Sequence, residues 1–137
     1  MEFVYDDGGR ATAGFTGDAR DCVTRAISIA TGRFYGHVYK NLADRLHASG
    51  KERSARNGIP KPIIRSYLDD NGWKWTPTMF IGSGCTTHLR EGELPDGRLI
   101  VSVSRHLVAV IDHVIRDTHD PTRDGTRCVY GYWQEIE

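Results

Sequence analysis

The chain has 137 residues, and 18 Lys plus Arg balance 18 Asp plus Glu, giving a formal net charge of zero. A hydrophobic share of 39% and a charged share of 26% are those of a globular protein, and the length suits one domain, residues 1–137, with its own core. Balanced charge argues against nucleic acid as a partner, and no run of about 18 apolar residues offers a membrane span.

The opening MEFVYDDGGR is acidic and poor in apolar residues, so it does not read as a signal peptide. The first helix is predicted over Cys22–Thr31. Asp21 stands as its N-cap, with a carboxylate able to accept the free N–H groups of the first turn. Val23, Ala26, Ile27 and Ala30 recur at helical spacing, and Gly32 supplies the stop. A second helix fits Tyr35 to Ala48, with Val38, Leu42 and Leu46 as its stripe. A third starts near Pro60 or Pro62 and ends at Gly72, with Ile63, Ile64, Tyr67 and Leu68 facing the core.

After Gly72 the pattern changes to alternation and β-branched residues. WKWTPTMFIG reads as a strand with Trp73 and Trp75 on one face. The glycine-rich stretch from Ile81 to Gly97 reads mostly as loop. RLIVSVS, HLVAVI, VIRDTH and RCVYGYW read as four further strands, with Asp112-His113 as a two-residue turn lacking the usual glycine. The expected architecture is α+β, with N-terminal helices (about 20–72) packed on a C-terminal antiparallel sheet (about 73–134).

Cys22, Cys85 and Cys128 are odd in number and widely spaced, which reads as reduced thiols in a cytoplasmic setting rather than a disulfide framework. Cys22 opens a helix, where exposed N–H groups and the helix dipole favour thiolate over thiol. A thiolate nucleophile needs a base. Pairing HLVAVI with VIRDTH about Asp112-His113 sets His106 opposite His119 and Val108 opposite Asp117. His106, Asp117 and His119 then share one face of the hairpin. A carboxylate diagonal to an imidazole fixes its tautomer and stabilises its cation. His106 is the candidate base, Asp117 its orienting acid, and His119 a competitor for the base role.

DCVTRAISIATG, followed late in the chain by SRHLVAVIDHVIRDTHDP, resembles papain-like cysteine hydrolases. The small bacterial and phage members come closest, those similar to the C39 peptidases and the cell-wall NlpC/P60 group. The resemblance implies a papain-like fold with Cys22 as nucleophile, His106 as base and Asp117 as orienting acid. It implies cleavage of a peptide, isopeptide or amide bond in a peptide or protein substrate, without a cofactor. It also implies a bacterial or phage-infected host cytoplasm. The family usually carries a Gln shortly before the Cys, whose amide completes the oxyanion hole. Here that neighbourhood is GFTGDAR and the chain's only Gln is Gln134, so Thr16 is the nearest candidate by position for the second donor. The missing Gln keeps open a non-catalytic phage protein that binds a host factor on the same scaffold.

Other features are weaker. Cys85 and His88 in CTTH have a ligand-like spacing that Cys22, Cys128 or His119 would have to complete; with no second close pair, no metal is expected. The basic stretch from Gly50 to Arg65 reads as a solvated loop before a helix, and the Gly82–Gly84 segment lacks the spacing of a phosphate loop.

Overall fold

A computed structural model describes residues 1–17 and 19–136. Among them, β1 (Glu2–Tyr5) is followed by helices α1 (Cys22–Thr31), α2 (Tyr35–Ala48) and α3 (Lys61–Asp70). Strands β2 (Trp73–Pro77), β3 (Arg98–Val103), β4 (His106–Ile111), β5 (Val114–Asp117) and β6 (Val129–Glu135) complete the chain. The six strands form one sheet in the order β1-β5-β4-β3-β6-β2. The protein is α+β, and no described helix is long and apolar enough to cross a membrane.

The expected antiparallel sheet is instead mixed. β1 adds to the edge of the sheet parallel to β5, with Tyr5 beside Asp117, and every other pairing is antiparallel. The sheet therefore begins before the helices, not at residue 73. β1 escapes sequence reading because it is four residues long, with three of the four exposed, and so lacks the alternation of a half-buried strand. β2 stops at Pro77, whose ring removes a ladder N–H. β6 starts two residues later than expected, beyond an isolated bridge between His88 and Cys128 and a register shift at Ser102/Val103.

Helix α1 is the hub. Val23, Thr24 and the run Ala26–Ala30 are all buried, because α1 lies between α2 and the strands β3 to β5. Its first and last residues match the sequence reading. Gly32 ends it at φ 72°, with its N–H on Ser28 O at 3.0 Å, a conformation that costs glycine nothing.

The alternation along β3 and β4 sends side chains into two cores. Ile100, Leu107 and Ala109 join the helices, Trp73 and Trp133 on one face. Leu99, Val101, Val108 and Val110 join Ile115, Leu89 and Leu94 on the other. The β4–β5 hairpin turns at Asp112 (φ 48°) and His113 (φ 68°), the left-handed pair of a type I′ turn made without glycine. The strain is held by the neighbouring loop. Gly97 N–H donates to Asp112 Oδ1 at 3.0 Å, Asp112 N–H donates to Gly97 O at 2.9 Å, and His113 Nε2 pairs with Asp96.

Two further expectations fail. Cys85 and Cys128 are joined as a disulfide across 43 residues, leaving Cys22 as the free cysteine among the described residues. Wide sequence spacing did not prevent pairing, because the loop after β2 folds back along the start of β6. Asp21 does not cap α1 through its side chain. Its carboxylate turns inward to a set of cations and a phenol.

Candidate active site

The register of the hairpin decides where the imidazole and carboxylate meet. β4 and β5 pair Ala109 with Arg116, Val110 with Ile115 and Ile111 with Val114, the register inferred from the turn. His106, the first residue of β4, and Asp117, the last of β5, thereby reach each other: His106 Nε2 lies 2.6 Å from Asp117 Oδ2. Asp117 is buried, and its other oxygen accepts the Thr118 N–H at 2.7 Å.

Helix α1 crosses this end of the sheet with its N-terminus at His106. The Cys22 thiol interacts with the His106 side chain and with the backbone of Leu107. Since Nε2 faces Asp117, Nδ1 is the ring nitrogen left to serve the sulfur. Burial pushes the Cys22 thiol up, but the His106 hydrogen bond, the Leu107 backbone and the charges of His106 and Arg25 together hold it below its ordinary value. Burial pulls His106 down, yet its bonds to Asp117 and Cys22 raise it to about 9. Burial pushes Asp117 up; its bond to His106, the Thr118 N–H and the Arg25 charge bring it below the usual carboxylate range. All three shifts favour the same charge state: thiolate, imidazolium and carboxylate.

Arg25, which the sequence reading passed over, ties these groups together. It lies one turn into α1 with its side chain 11% exposed, pairs with Asp21 through Nη1, and donates from Nη2 to Asp117 Oδ1 at 3.2 Å. Asp21, 3% exposed, also receives the Tyr35 hydroxyl at 2.7 Å and lies 3.4 Å from Arg10 Nε. The signal was present: an arginine four residues after an aspartate, the one charged residue of α1. Because Asp21 spends its charge on Arg25, Arg10 and Tyr35, it leaves the first N–H groups of α1 without a side-chain cap.

The strand expected to run on through His119 ends at Asp117, so His119 is not a ladder partner of His106; it is exposed in the bend after β5, with its ring 5.2 Å from that of His106. It lies against the proposed base but outside the His106–Asp117 pair. Thr16 is exposed, and it is tied to the fold by its backbone carbonyl, which takes a hydrogen bond from Arg10 Nη2 at 3.2 Å. Gln134 is remote from Cys22, pairing with Lys74 and Leu99 at the opposite end of the β3 ladder from the Val103–His106 pair.

Among the described residues, two groups of donors lie close enough to hold a metal ion: His106, Asp117 and His119, and separately Cys85, His88 and Cys128, each with ligand atoms within 4.8 Å of one another. A groove of about 190 Å³ opens beside the site. Leu107, Ile64, Trp75 and Trp133 line it, with Lys61 and Arg65 of α3. Cys22, His106 and Asp117 are not in its walls, and Leu107 is the link between groove and thiol. Comparison of the chain with family models, with curated proteins and with solved structures found no match.

Proposed function

We propose that this chain is a papain-like thiol hydrolase acting on a peptide, isopeptide or amide carbonyl. One observation carries the reading: the free thiol at the first residue of α1 interacts with the His106 imidazole, whose Nε2 sits 2.6 Å from a buried carboxylate. A structural cysteine has no use for that arrangement, whereas a nucleophile needs each part of it.

In this reading Cys22 attacks as thiolate and forms a thioester with the acyl group. His106, already protonated, gives its proton to the departing amine. The neutral imidazole then takes a proton from water, which attacks the thioester and releases the acid and the Cys22 thiolate, restoring the thiolate–imidazolium pair. Asp117 keeps Nε2–H oriented and stabilises the cation. The Cys22 N–H, not used by an aspartate cap, is a donor for the oxyanion. Arg25 is a positioning residue, acting through Asp117. The groove beyond Leu107 would hold an apolar portion of the substrate.

The lack of a side-chain amide from Gln134 near the thiol favours a second reading, a phage-type binding protein that keeps the scaffold without turnover. An acyl-transfer probe carrying a fluorophore separates the two. The hydrolase reading expects covalent labelling of the wild type and its loss in Cys22→Ser and in His106→Ala. Equal labelling of wild type and His106→Ala would reject it.

A further inference from the structure

Outside the Cys22 site lies a second group of donors, Cys85, His88 and Cys128. The backbone places them. His88 and Cys128 face each other in an isolated antiparallel bridge, flanked by Leu89 N–H to Arg127 O and Val129 N–H to Thr87 O, both at 2.8 Å. Cys85 and Cys128 are joined, with Cα atoms 5.7 Å apart. His88 Nε2 lies 3.5 Å from Cys85 Sγ, and His88 Nδ1 lies 3.2 Å from Glu93 Oε1. Arg90 in turn pairs with the other oxygen of Glu93.

A disulfide alone needs no imidazole beside it, and still less one whose remote nitrogen is fixed by a carboxylate. Two sulfurs and a ring nitrogen whose partner nitrogen donates to a carboxylate form the donor set of a zinc centre. Two thiolates also select soft and borderline ions over magnesium or calcium. The group is accessible: Cys85 is exposed, and the His88 side chain is 27% exposed.

We propose that Cys85, Cys128 and His88 Nε2 bind one zinc ion when the disulfide is reduced, so that disulfide and metal are alternative occupants of one site. The reductant is a thiol. Two equivalents supply two electrons, become a disulfide themselves, and leave Cys85 and Cys128 as thiols. Each thiol releases its proton on binding zinc, which changes no oxidation state. Water takes the fourth position on the exposed side. Oxidation by a disulfide or peroxide removes two electrons from the sulfurs, re-forms the bond and ejects the ion.

The test uses the full chain, reduced with a phosphine, freed of reductant under inert gas, and titrated with zinc against a chromophoric chelator. One zinc per chain is expected, with none taken up by the oxidised protein. Cys85→Ser and His88→Ala, both at accessible positions, should abolish stoichiometric uptake while circular dichroism stays unchanged. Glu93→Gln should weaken binding by about 10–100-fold. Cys22→Ser should bind like wild type, so this result does not depend on the thiol hydrolase. Uptake by reduced wild type no greater than by Cys85→Ser, or loss of zinc in Cys22→Ser, would overturn the proposal.

Discussion

Replacing Arg25 by methionine tests whether one cation holds the site together. The guanidinium is 11% exposed and bridges Asp21 and Asp117, both nearly inaccessible. Methionine keeps much of the stem volume and removes the charge. Asp21 would retain the Tyr35 hydroxyl and the nearby Arg10, and Asp117 would retain His106 and the Thr118 N–H. Breaking a buried ion pair from one side costs ~3–5 kcal/mol. The remaining partners place this case near the lower end, about 3 kcal/mol. With an unfolding entropy of ~2.1 cal/mol/K per residue, 137 residues give roughly 290 cal/mol/K, so the Tm should fall by about 10 °C. Asp117 should also titrate at higher pH, because Arg25 is one of the charges that depress it. Calorimetry and urea unfolding read the first effect, and carboxyl NMR reads the second. A loss below about 1 kcal/mol, with Asp117 unmoved, would show that Arg25 is a solvated bystander.

Three further outcomes follow from the same contacts. In Asp117→Asn the amide oxygen can still accept from Nε2–H, but His106 should titrate well below about 9 and toward its ordinary 6.5; ring-proton NMR across pH would contradict this by finding it unchanged. For stability, a raised His106 contributes fully below 6.5 and its contribution is lost as pH rises through about 9. A depressed Cys22 works in the opposite direction, contributing above its unfolded 9.0 and losing that contribution as pH falls through its folded value. The two slopes offset each other in wild type, so Cys22→Ser should lose stability above pH 6.5 more steeply than wild type, and denaturant titrations showing parallel profiles would refute the coupling. Gly131→Ala would press a Cβ against the Trp75 ring and to 2.8 Å from Thr76 O, so it should destabilise by ~1–3 kcal/mol in urea unfolding; a neutral result would mean that Trp75 moves freely.

The sequence spoke most clearly where a single period governs a segment. Cys22–Thr31 and Tyr35–Ala48 carry apolar stripes and lie between clear stops, and both helices have the predicted ends. The hairpin register was legible because a two-residue turn leaves little freedom, and that register alone brings Asp117 to His106. The polar interior was harder to see. Asp21 looks like a cap from its position, but buried carboxylates follow their strongest partners, and three of those arrive from Arg10, Arg25 and Tyr35. The Cys85–Cys128 bond was hidden for a similar reason: it depends on a loop of turn residues folding along β6, and turn residues carry no periodicity to locate it.

The claim beneath the proposed chemistry is that Cys22 and His106 share charge as thiolate and imidazolium near neutral pH. The rate of Cys22 alkylation by iodoacetamide measures it directly, with Cys85 and Cys128 left oxidised so that one thiol reports. At pH 6 a thiol of pKa ≈ 8.5 is only about 0.3% ionised. Cys22 in wild type should react several-fold faster than free cysteine at that pH, and His106→Ala should slow it to or below the free rate. A Cys22 that alkylates no faster than free cysteine at pH 6, and equally in His106→Ala, would contradict the ion pair and with it the proposed mechanism.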